Sequence, residues 1–193
     1  MRHPLTLILI LVFALCLAGC GSKSKSSGDD DVSGDDTSGD DSGSDDAGDD
    51  SGDWYDSSSG LTWQGGPSAF GMVWNDANIY CANLGSGWRL PTISELRGLI
   101  RGCSATQTGG SCGVTDSCRS DSACRDSSCQ GCADGGGPAS GCYWPSELSG
   151  DCVTYWSSSL ETDYGSAAWA VGFSAGMVNM YTSTNNFGVR CVR

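Results

Sequence analysis

The pattern of apolar and polar positions divides the chain into three parts. Apolar residues dominate positions 5 to 17, polar residues fill the stretch up to Asp53, and all seven tryptophans follow that residue. We therefore predict three segments, residues 1–19, 20–53 and 54–193. Only the third segment has enough apolar residues to bury a core, and one folded domain is the expectation for a chain of 193 residues.

A first short helix is predicted near residue 74. Trp74, Ala77, Cys81 and Leu84 recur at the spacing that places side chains on one face of a helix. Gly85 is typical of the position that follows the end of a helix. Cys81 is therefore expected to point inward, beside Ala77 and Leu84.

A second helix is predicted to begin at Thr92. Thr92 and Glu95 fit a capping box, in which each side chain accepts a hydrogen bond from the other residue's backbone N–H. Pro91 can pack against Leu96 as a hydrophobic staple. The helix is expected to end at Gly102. Its apolar face would consist of Leu96, Leu99 and Ile100.

The last third of the chain predicts antiparallel strands. Large apolar residues at Trp169, Val171 and Phe173 alternate with small ones, and residues 174–176 carry a turn signal. Residues 177–181 are expected to return as a second strand, and residues 189–192 to form a short closing strand. Two early helices followed by antiparallel strands predict an α+β fold.

The first segment has the composition of an export signal. Arg2 and His3 precede the apolar run, and small residues precede Cys20. The apolar run is shorter than the roughly 20 residues that span a bilayer. Residues 17–20, Leu-Ala-Gly-Cys, resemble the bacterial lipobox, which implies that Cys20 is lipidated and becomes the mature N-terminus. An ordinary signal peptide with a chance cysteine is the alternative.

The residue after Cys20 bears on the location. It is Gly21, where many lipoproteins retained at the inner membrane have Asp. We therefore expect a protein held by its lipid anchor at the outer membrane or the cell surface. Several acyl chains, at about 0.8 kcal/mol per buried methylene, would hold it stably in the membrane.

The second segment is acidic and rich in Ser and Gly. Residues 21–53 contain 12 Asp and two Lys. This composition cannot bury enough apolar surface to offset the entropy of ordering, so we predict a disordered tether over residues 20–53. Calcium binding is the alternative, although the spacing and the bidentate Glu of an EF-hand loop are absent. The net charge of the whole chain, −13, argues against a nucleic-acid partner.

Histidine is almost absent from the sequence. The single histidine is His3, inside the signal segment. The mature protein therefore lacks the residue on which Ser-His-Asp catalysis, Cys-His catalysis and His-ligated zinc depend. We predict no catalytic residue, no metal site and no cofactor, and hence a protein that is not an enzyme.

Residues 103–152 form a Cys-rich insert with eight cysteines and few aliphatic residues. An even number of cysteines after the tether predicts disulfide bonds in an exported protein. The ten residues are Cys81, Cys103, Cys112, Cys118, Cys124, Cys129, Cys132, Cys142, Cys152 and Cys191. The alternatives are a redox pair at Cys129 and Cys132, a four-cysteine zinc site, and a free catalytic thiol.

Seven short strings follow one another in the third segment. They are GLTWQ at 60–64, ANIYC at 77–81, WRLPT at 88–92, EL at 95–96, YWSSS at 155–159, AWAV at 168–171 and VRCVR at 189–193. Together they resemble the Lcl C-terminal domain family, found in bacterial surface lipoproteins and at the end of a collagen-like adhesin. The resemblance covers residues 54–193 apart from the insert.

The resemblance carries expectations for the fold. The family is related in architecture to C-type lectin-like domains and to the formylglycine-generating group. It implies a compact α+β, C-type-lectin-like domain whose chain ends pair near each other. Similar lectin-like domains join the first helix to the last strand, which implies a bridge between Cys81 and Cys191. The eight insert cysteines would then pair among themselves.

Several residues of the matching strings have two interpretations. Trp63, Trp88 and Trp156 serve either as core residues or as ligand platforms, and the small size of the domain favours the core. Arg89 and Arg190 either pair with acids such as Glu95 or are solvated. Residues 74–76, Trp-Asn-Asp, are similar to a calcium-ligand triplet of C-type lectins. They begin a helix here, however, and no partner string accompanies them, so we expect any sugar binding to be independent of calcium.

Ligand contacts are expected on the insert and on the loops after Trp156. The insert carries Tyr143 and Trp144 in a string that looks exposed, and Asn185 and Asn186 add amides suited to sugar hydroxyls. Aromatic residues among small polar ones are typical of recognition surfaces. The alternative for Trp144 is that it packs the insert onto the core.

Three functions fit these features. The first is a surface-tethered, lectin-like binding or adhesion module for glycans or for envelope or host proteins. The second is a structural envelope component without a discrete ligand. The third is an enzyme of the formylglycine-generating type, which rests only on the architectural relationship and needs a reactive cysteine pair.

Overall fold

The computed structural model describes residues 52–193. The predicted signal peptide, Cys20 and all but the end of the predicted tether lie outside these residues. The elements in chain order are β1 (Trp54–Asp56), β2 (Leu61–Trp63), α1 (Trp74–Asn83), α2 (Ile93–Arg97), α3 (Asp121–Cys124), a 3-10 helix (Ser127–Gln130), β3 (Thr154–Leu160), β4 (Ala167–Gly172) and β5 (Met177–Thr182). The fold is α+β, as predicted, with short helices and antiparallel sheets.

The central element is a three-stranded antiparallel sheet in the order β3-β4-β5. All six residues of β4 are buried. Trp169 and Val171 pack in a core with α2 and the insert, while Ala168 and Ala170 pack in a second core with α1. Because both faces of β4 are covered, the strand is apolar throughout rather than alternating with polar residues. The predicted turn lies between β4 and β5, where Gly176 has a φ of 63°.

The two ends of the described chain meet at the β1–β2 hairpin. Thr62 and Arg193 exchange backbone hydrogen bonds of 2.8 and 2.9 Å. The predicted closing strand at 189–192 is wrong as a regular strand, since only Val192 forms bridges there, to Trp63 and Arg89. The residue before Val192 bonds to the chain just after β2 instead. The Cys191 carbonyl accepts a 3.0 Å hydrogen bond from the backbone N–H of Gln64.

Fewer residues on the apolar face of the first helix are buried than predicted. Ala77 and Cys81 are fully buried, but Leu84 is 40% exposed. Leu84 lies one residue beyond the last helical residue, Asn83, at the C-terminal end of the helix. The prediction that Leu84 belongs to this face is therefore wrong. Trp74 remains tied to the sheet, because its indole N–H donates to the carbonyl of Ser157 at 2.8 Å.

The capping box predicted for the second helix is confirmed. The backbone N–H of Glu95 donates to the Thr92 hydroxyl at 3.2 Å, and the backbone N–H of Thr92 donates to the Glu95 carboxylate at 2.8 Å. The helix ends at Arg97 and not at Gly102. After Arg97 the chain continues in tighter turns. The backbone N–H groups of Leu99 and Ile100 donate to the carbonyls three positions earlier, and both residues remain buried.

No helix within residues 52–193 has the length and the apolar character needed to cross a membrane.

Candidate functional site

Disulfide bonds account for all ten cysteines of the described residues. Cys81 on α1 is bonded to Cys191, with Cα atoms 5.4 Å apart, which is the bridge that the family resemblance implied. The insert cysteines pair with one another as Cys103–Cys132, Cys112–Cys129, Cys118–Cys124 and Cys142–Cys152. The redox alternative for Cys129 and Cys132 does not form, because each sulfur is bonded to a different partner.

The insert packs into the core of the rest of the domain. Val114, Tyr143, Trp144 and Leu148 are buried in the same cluster as α2 and the sheet. The expectation that Tyr143 and Trp144 are exposed is therefore wrong, since their exposed fractions are 4% and 2%. The Tyr143 hydroxyl also donates to the carbonyl of Ala133 at 2.8 Å. Trp144 fits the alternative interpretation, in which it packs the insert onto the core.

The remaining tryptophans of the matching strings are core residues. Trp63, Trp88 and Trp156 are at most 9% exposed. The indole N–H of Trp156 donates to the carbonyl of Met72 at 2.9 Å, and its ring lies 4.7 Å from that of Phe187. Trp156, predicted as a ligand contact, therefore has no surface to offer.

Arg89 and Arg190 have different surroundings. Arg89 forms two hydrogen bonds of 2.7 Å to the Glu95 carboxylate, which is one of the predicted alternatives. Arg190 is 1% exposed and has no carboxylate partner among residues 52–193. Neither predicted alternative fits Arg190, because carbonyl groups and aromatic rings take the place of an acid.

The guanidinium of Arg190 is a buried cation. It donates to the carbonyls of Gln64 at 2.6 Å, of Gly65 at 2.8 Å, and of Ser149. It also lies 5.3 and 5.9 Å from the ring centroids of Trp144 and Tyr155. Burial lowers the pKa of Arg190, with a partial offset from Tyr155. This side chain joins two loops, at residues 64–65 and at residue 149, to the C-terminal segment, and all three stretches lead into a surface groove.

That groove, called the Phe70 groove below, has a volume of about 260 Å³. Three chain segments line it, namely residues 67–71, residues 151 and 153–155, and residues 186–188. Backbone hydrogen bonds of 2.8 and 3.1 Å between Met72 and Phe187 tie the first segment to the third. Gly188 of the third segment lies against the ring of Tyr155 in the second. A Cβ on Gly188 would be only 2.8 Å from that ring. The groove is therefore built from rigidly joined loops.

The lining of the Phe70 groove includes both apolar and polar residues that are exposed. Phe70 is 80% exposed and Val153 is 46% exposed. The Ser68 hydroxyl donates to the carbonyl of Phe70 at 2.9 Å, which fixes the backbone that carries this ring. Asp151 and Asn186 are exposed in the same lining, and their side chains form no hydrogen bond within residues 52–193. Their polar groups are therefore available to a ligand.

Of the predicted contacts after Trp156, only one has a free side chain. Asn186 lines the Phe70 groove and is exposed. Asn185 is half-buried, and its side-chain oxygen accepts a 2.7 Å hydrogen bond from the Thr182 hydroxyl. Asn185 therefore stabilises its own turn.

Sequence reasoning missed Phe70, Asp151 and Val153. One signal was present, because Phe70 is the single large apolar residue in the turn-rich string Pro67-Ser68-Ala69-Phe70-Gly71. An aromatic residue in such a loop has few neighbours to cover it.

The groups that line the groove can make aromatic contacts and hydrogen bonds with a ligand. A planar ring can contact the apolar face of a sugar, while the neighbouring amide and carboxylate can bond its hydroxyl groups. Within the described residues, no group of three or more His, Cys, Asp or Glu side chains is placed to hold a metal ion. The groove therefore offers shape, an aromatic surface and hydrogen bonds.

A family model matches the domain that holds these features. The match, to the Lcl C-terminal domain, covers residues 52–193. The chain belongs to the Lcl C-terminal domain family. This Lcl C-terminal domain includes the Phe70 groove, the Cys81–Cys191 bridge and the whole Cys-rich insert. No curated protein matches the sequence.

Proposed function

We propose that the chain is a lipid-anchored surface protein whose Lcl C-terminal domain binds glycans through the Phe70 groove. The observation that carries the proposal is the exposure of Phe70 beside the unbonded side chains of Asp151 and Asn186. A phenylalanine that is 80% exposed adds little buried area to the core, and an aromatic ring beside polar groups in a concave lining is typical of a binding site.

The charge of the site restricts the classes of ligand that it can bind. Residues 54–193 have a net charge of −4, and Asp151 adds a carboxylate at the mouth of the groove. Anionic polymers would be repelled from this surface. We therefore expect neutral or amino sugars, bound without calcium.

The proposed anchoring rests on the sequence of the first 53 residues. A lipidated Cys20 would hold the protein in the outer membrane, and the acidic tether would separate the domain from the lipid. A binding site that acts at a distance from the membrane benefits from such a spacer.

The C-type-lectin-like architecture is part of the same proposal. It is supported by the α+β fold, by the pairing of the chain ends at Thr62 and Arg193, and by the bridge from the first helix to the C-terminal segment. The relationship concerns the fold alone, and the function is argued from the Phe70 groove.

Binding to an array of neutral, amino and acidic glycans, with chelator present, tests the proposal. The wild-type protein should bind a subset of the neutral or amino sugars. Phe70→Ala and Asn186→Ala should each weaken this binding, whereas Tyr164→Ala should not. Tyr164 is a matched control, since it is 62% exposed and lies outside the groove. Equal binding by the Phe70→Ala and Tyr164→Ala variants would refute the role of the groove.

Two other functions predict different results. A structural envelope component would bind no glycan in any variant and would be retained by other envelope material. An enzyme of the formylglycine-generating type needs a reactive cysteine pair, whereas the ten cysteines of residues 52–193 are all bridged. Titration of free thiols in the purified protein would detect such a pair.

A further inference from the structure

A second candidate site lies on a different part of the domain and is centred on Arg101. Two neighbouring depressions, of about 420 and 500 Å³, share this residue in their walls. We call them together the Arg101 cleft. It shares no lining residue with the Phe70 groove.

The seven arginines of the described residues differ in their partners. Arg89, Arg125 and Arg193 are paired with carboxylates. Arg97 and Arg190 are buried and donate to carbonyl groups. Arg101 and Arg119 have neither arrangement, because both are half-buried and form no salt bridge within residues 52–193, and Arg119 lies outside the cleft.

The guanidinium of Arg101 is nevertheless held in place. Its Nη1 donates to the carbonyls of Gly98 at 2.6 Å and Ile100 at 3.1 Å. The Nη2 and Nε donors have no acceptor within the described residues. These two groups form one edge of the guanidinium fork, which is the geometry that a carboxylate binds with two parallel hydrogen bonds.

The two sides of the Arg101 cleft differ in chemistry. Trp54, Pro138 and Pro145 line one side, which makes that side apolar. Hydroxyl groups of Ser58 and Ser59 line the other side. Aromatic-lined grooves are typical of surfaces that bind extended, proline-rich peptides. The Ser58 and Ser59 hydroxyls donate to Asp56, so they can accept hydrogen bonds from a peptide backbone.

One residue in the wall of the cleft has an unpartnered polar group. Trp63 lines the hydroxyl side of the cleft and is 1% exposed. Its indole N–H is buried without a hydrogen-bond partner in residues 52–193. A buried donor without an acceptor is costly and uncommon in folded proteins.

Three acidic residues line the Arg101 cleft, and none of them forms a salt bridge with Arg101. Glu95 is paired with Arg89. Asp56 accepts hydrogen bonds of 2.6 and 2.8 Å from the hydroxyls of Ser58 and Ser59. Burial raises the pKa of Asp56, but these bonds and the charge of Arg101 lower it by more. Glu147, on the apolar side, is exposed to solvent. A ligand with several negative charges would be repelled by the acidic domain, so a single carboxylate is favoured.

We propose that the Arg101 cleft binds an extended segment of a partner protein. The segment carries one Asp or Glu, whose carboxylate pairs with Arg101. An adjacent proline or aromatic residue packs against Trp54, Pro138 and Pro145. This interaction is independent of glycan binding in the Phe70 groove, and one chain can make both.

A peptide array tests the inference with the purified chain as the probe. Each peptide is acetylated and amidated at its ends and carries a central Glu flanked by Pro, Tyr, Trp or Leu. Each also has a counterpart with Gln in place of Glu. We expect the chain to bind a subset of the Glu peptides and to bind their Gln counterparts roughly tenfold more weakly, because the charge-assisted pair is lost.

Variants then assign the binding to Arg101. Arg101→Gln should reduce binding of the Glu peptides to the level of the Gln peptides, and Arg101→Lys should restore only part of it. Arg119→Gln is a matched control, because it removes the same charge from a half-buried arginine outside the cleft. Phe70→Ala should leave peptide binding unchanged, which separates this inference from the proposed glycan site.

Three results would overturn the inference. These are a wild-type chain that binds no peptide of the array, equal binding of Glu and Gln peptides, and an Arg101→Gln variant that binds like wild type. The comparison of Glu with Gln peptides uses the wild-type chain alone, so it holds even where a variant folds poorly.

Discussion

The guanidinium of Arg190 lies 5.3 Å from the centre of the Trp144 ring, and both side chains are buried. The contact joins the C-terminal segment to the Cys-rich insert. It is reinforced by the bond from Arg190 to the carbonyl of Ser149, which belongs to the same loop of the insert. The insert is therefore fixed to the domain by a cation that no acid neutralises in the described residues.

Replacing Arg190 by lysine should destabilise the domain. Lysine has no planar fork, so it cannot reach all three carbonyl groups that Arg190 bonds, and unsatisfied carbonyls remain buried. We expect Arg190→Lys to lower the free energy of unfolding by about 2–3 kcal/mol. Urea denaturation followed by tryptophan fluorescence measures this. Arg119→Lys is the control and should change the value by less than about 0.5 kcal/mol. Similar midpoints for both variants would contradict the role of Arg190.

The disulfide bonds should differ in their contribution to stability according to loop length. Cys81 and Cys191 are 110 residues apart, whereas Cys118 and Cys124 are 6 apart. The chain-entropy model gives about 5 kcal/mol for the first bridge and about 2 kcal/mol for the second. Paired alanine substitutions at each bridge, compared by thermal and urea unfolding, measure the difference. A larger loss of stability on removing the Cys118–Cys124 bridge would show that strain or packing, and not loop entropy, determines what each bridge contributes.

The pairing of Glu95 with Arg89 should make stability depend on pH. Burial raises the pKa of Glu95, but hydrogen bonds from Arg89 and Thr92 lower it by more, so the pKa lies below its ordinary value. The resulting stabilisation is complete above the unfolded pKa of about 4.3 and is lost as the pH falls through the folded pKa. Glu95→Gln should therefore destabilise the protein by about 1 kcal/mol at neutral pH and by less in acid.

Urea midpoints between neutral pH and pH 2 check this prediction. Glu147→Gln is the control, because Glu147 is exposed and has the same chemistry. A difference between wild type and Glu95→Gln that stays constant across the acid range would refute the link to ionisation.

Cys20 is expected to determine membrane association. Changing Cys20 to Ser should release the protein from membranes or leave an unprocessed precursor, because the proposed acyl chains cannot be attached. Fractionation of cells and the mass of the product measure both outcomes. A Cys20→Ser protein that is processed and bound to membranes like wild type would contradict lipidation at this residue.

Local signals in the sequence predicted local structure well. The Thr92–Glu95 capping box could be recognised because all its bonds lie within four residues. The turn at Gly176 could be recognised because flanking apolar residues and small residues mark it. Leu84 was misplaced for the same local reason, since spacing alone does not show where a helix stops.

Features that depend on distant parts of the chain were not predictable in this way. Tyr143 and Trp144 look exposed in a polar, Cys-rich stretch, but Phe173, Arg190 and the rest of the core cover them once the domain folds. The Phe70 groove arises from three segments that are far apart in sequence. Neither the composition nor the periodicity of the sequence shows which loops lie next to one another in the folded domain.

The bridge between Cys81 and Cys191 also limits how far the domain can be stretched. A pull on the segment that precedes the domain would apply force at residue 52. Even if the hairpin and the first loop gave way, the covalent link would stop the chain at residue 81. About 30 residues, or roughly 100 Å, could then be drawn out before the load reached a sulfur–sulfur bond. Residues 52–81 can therefore extend under tension, while the part of the chain between Cys81 and Cys191 stays covalently closed.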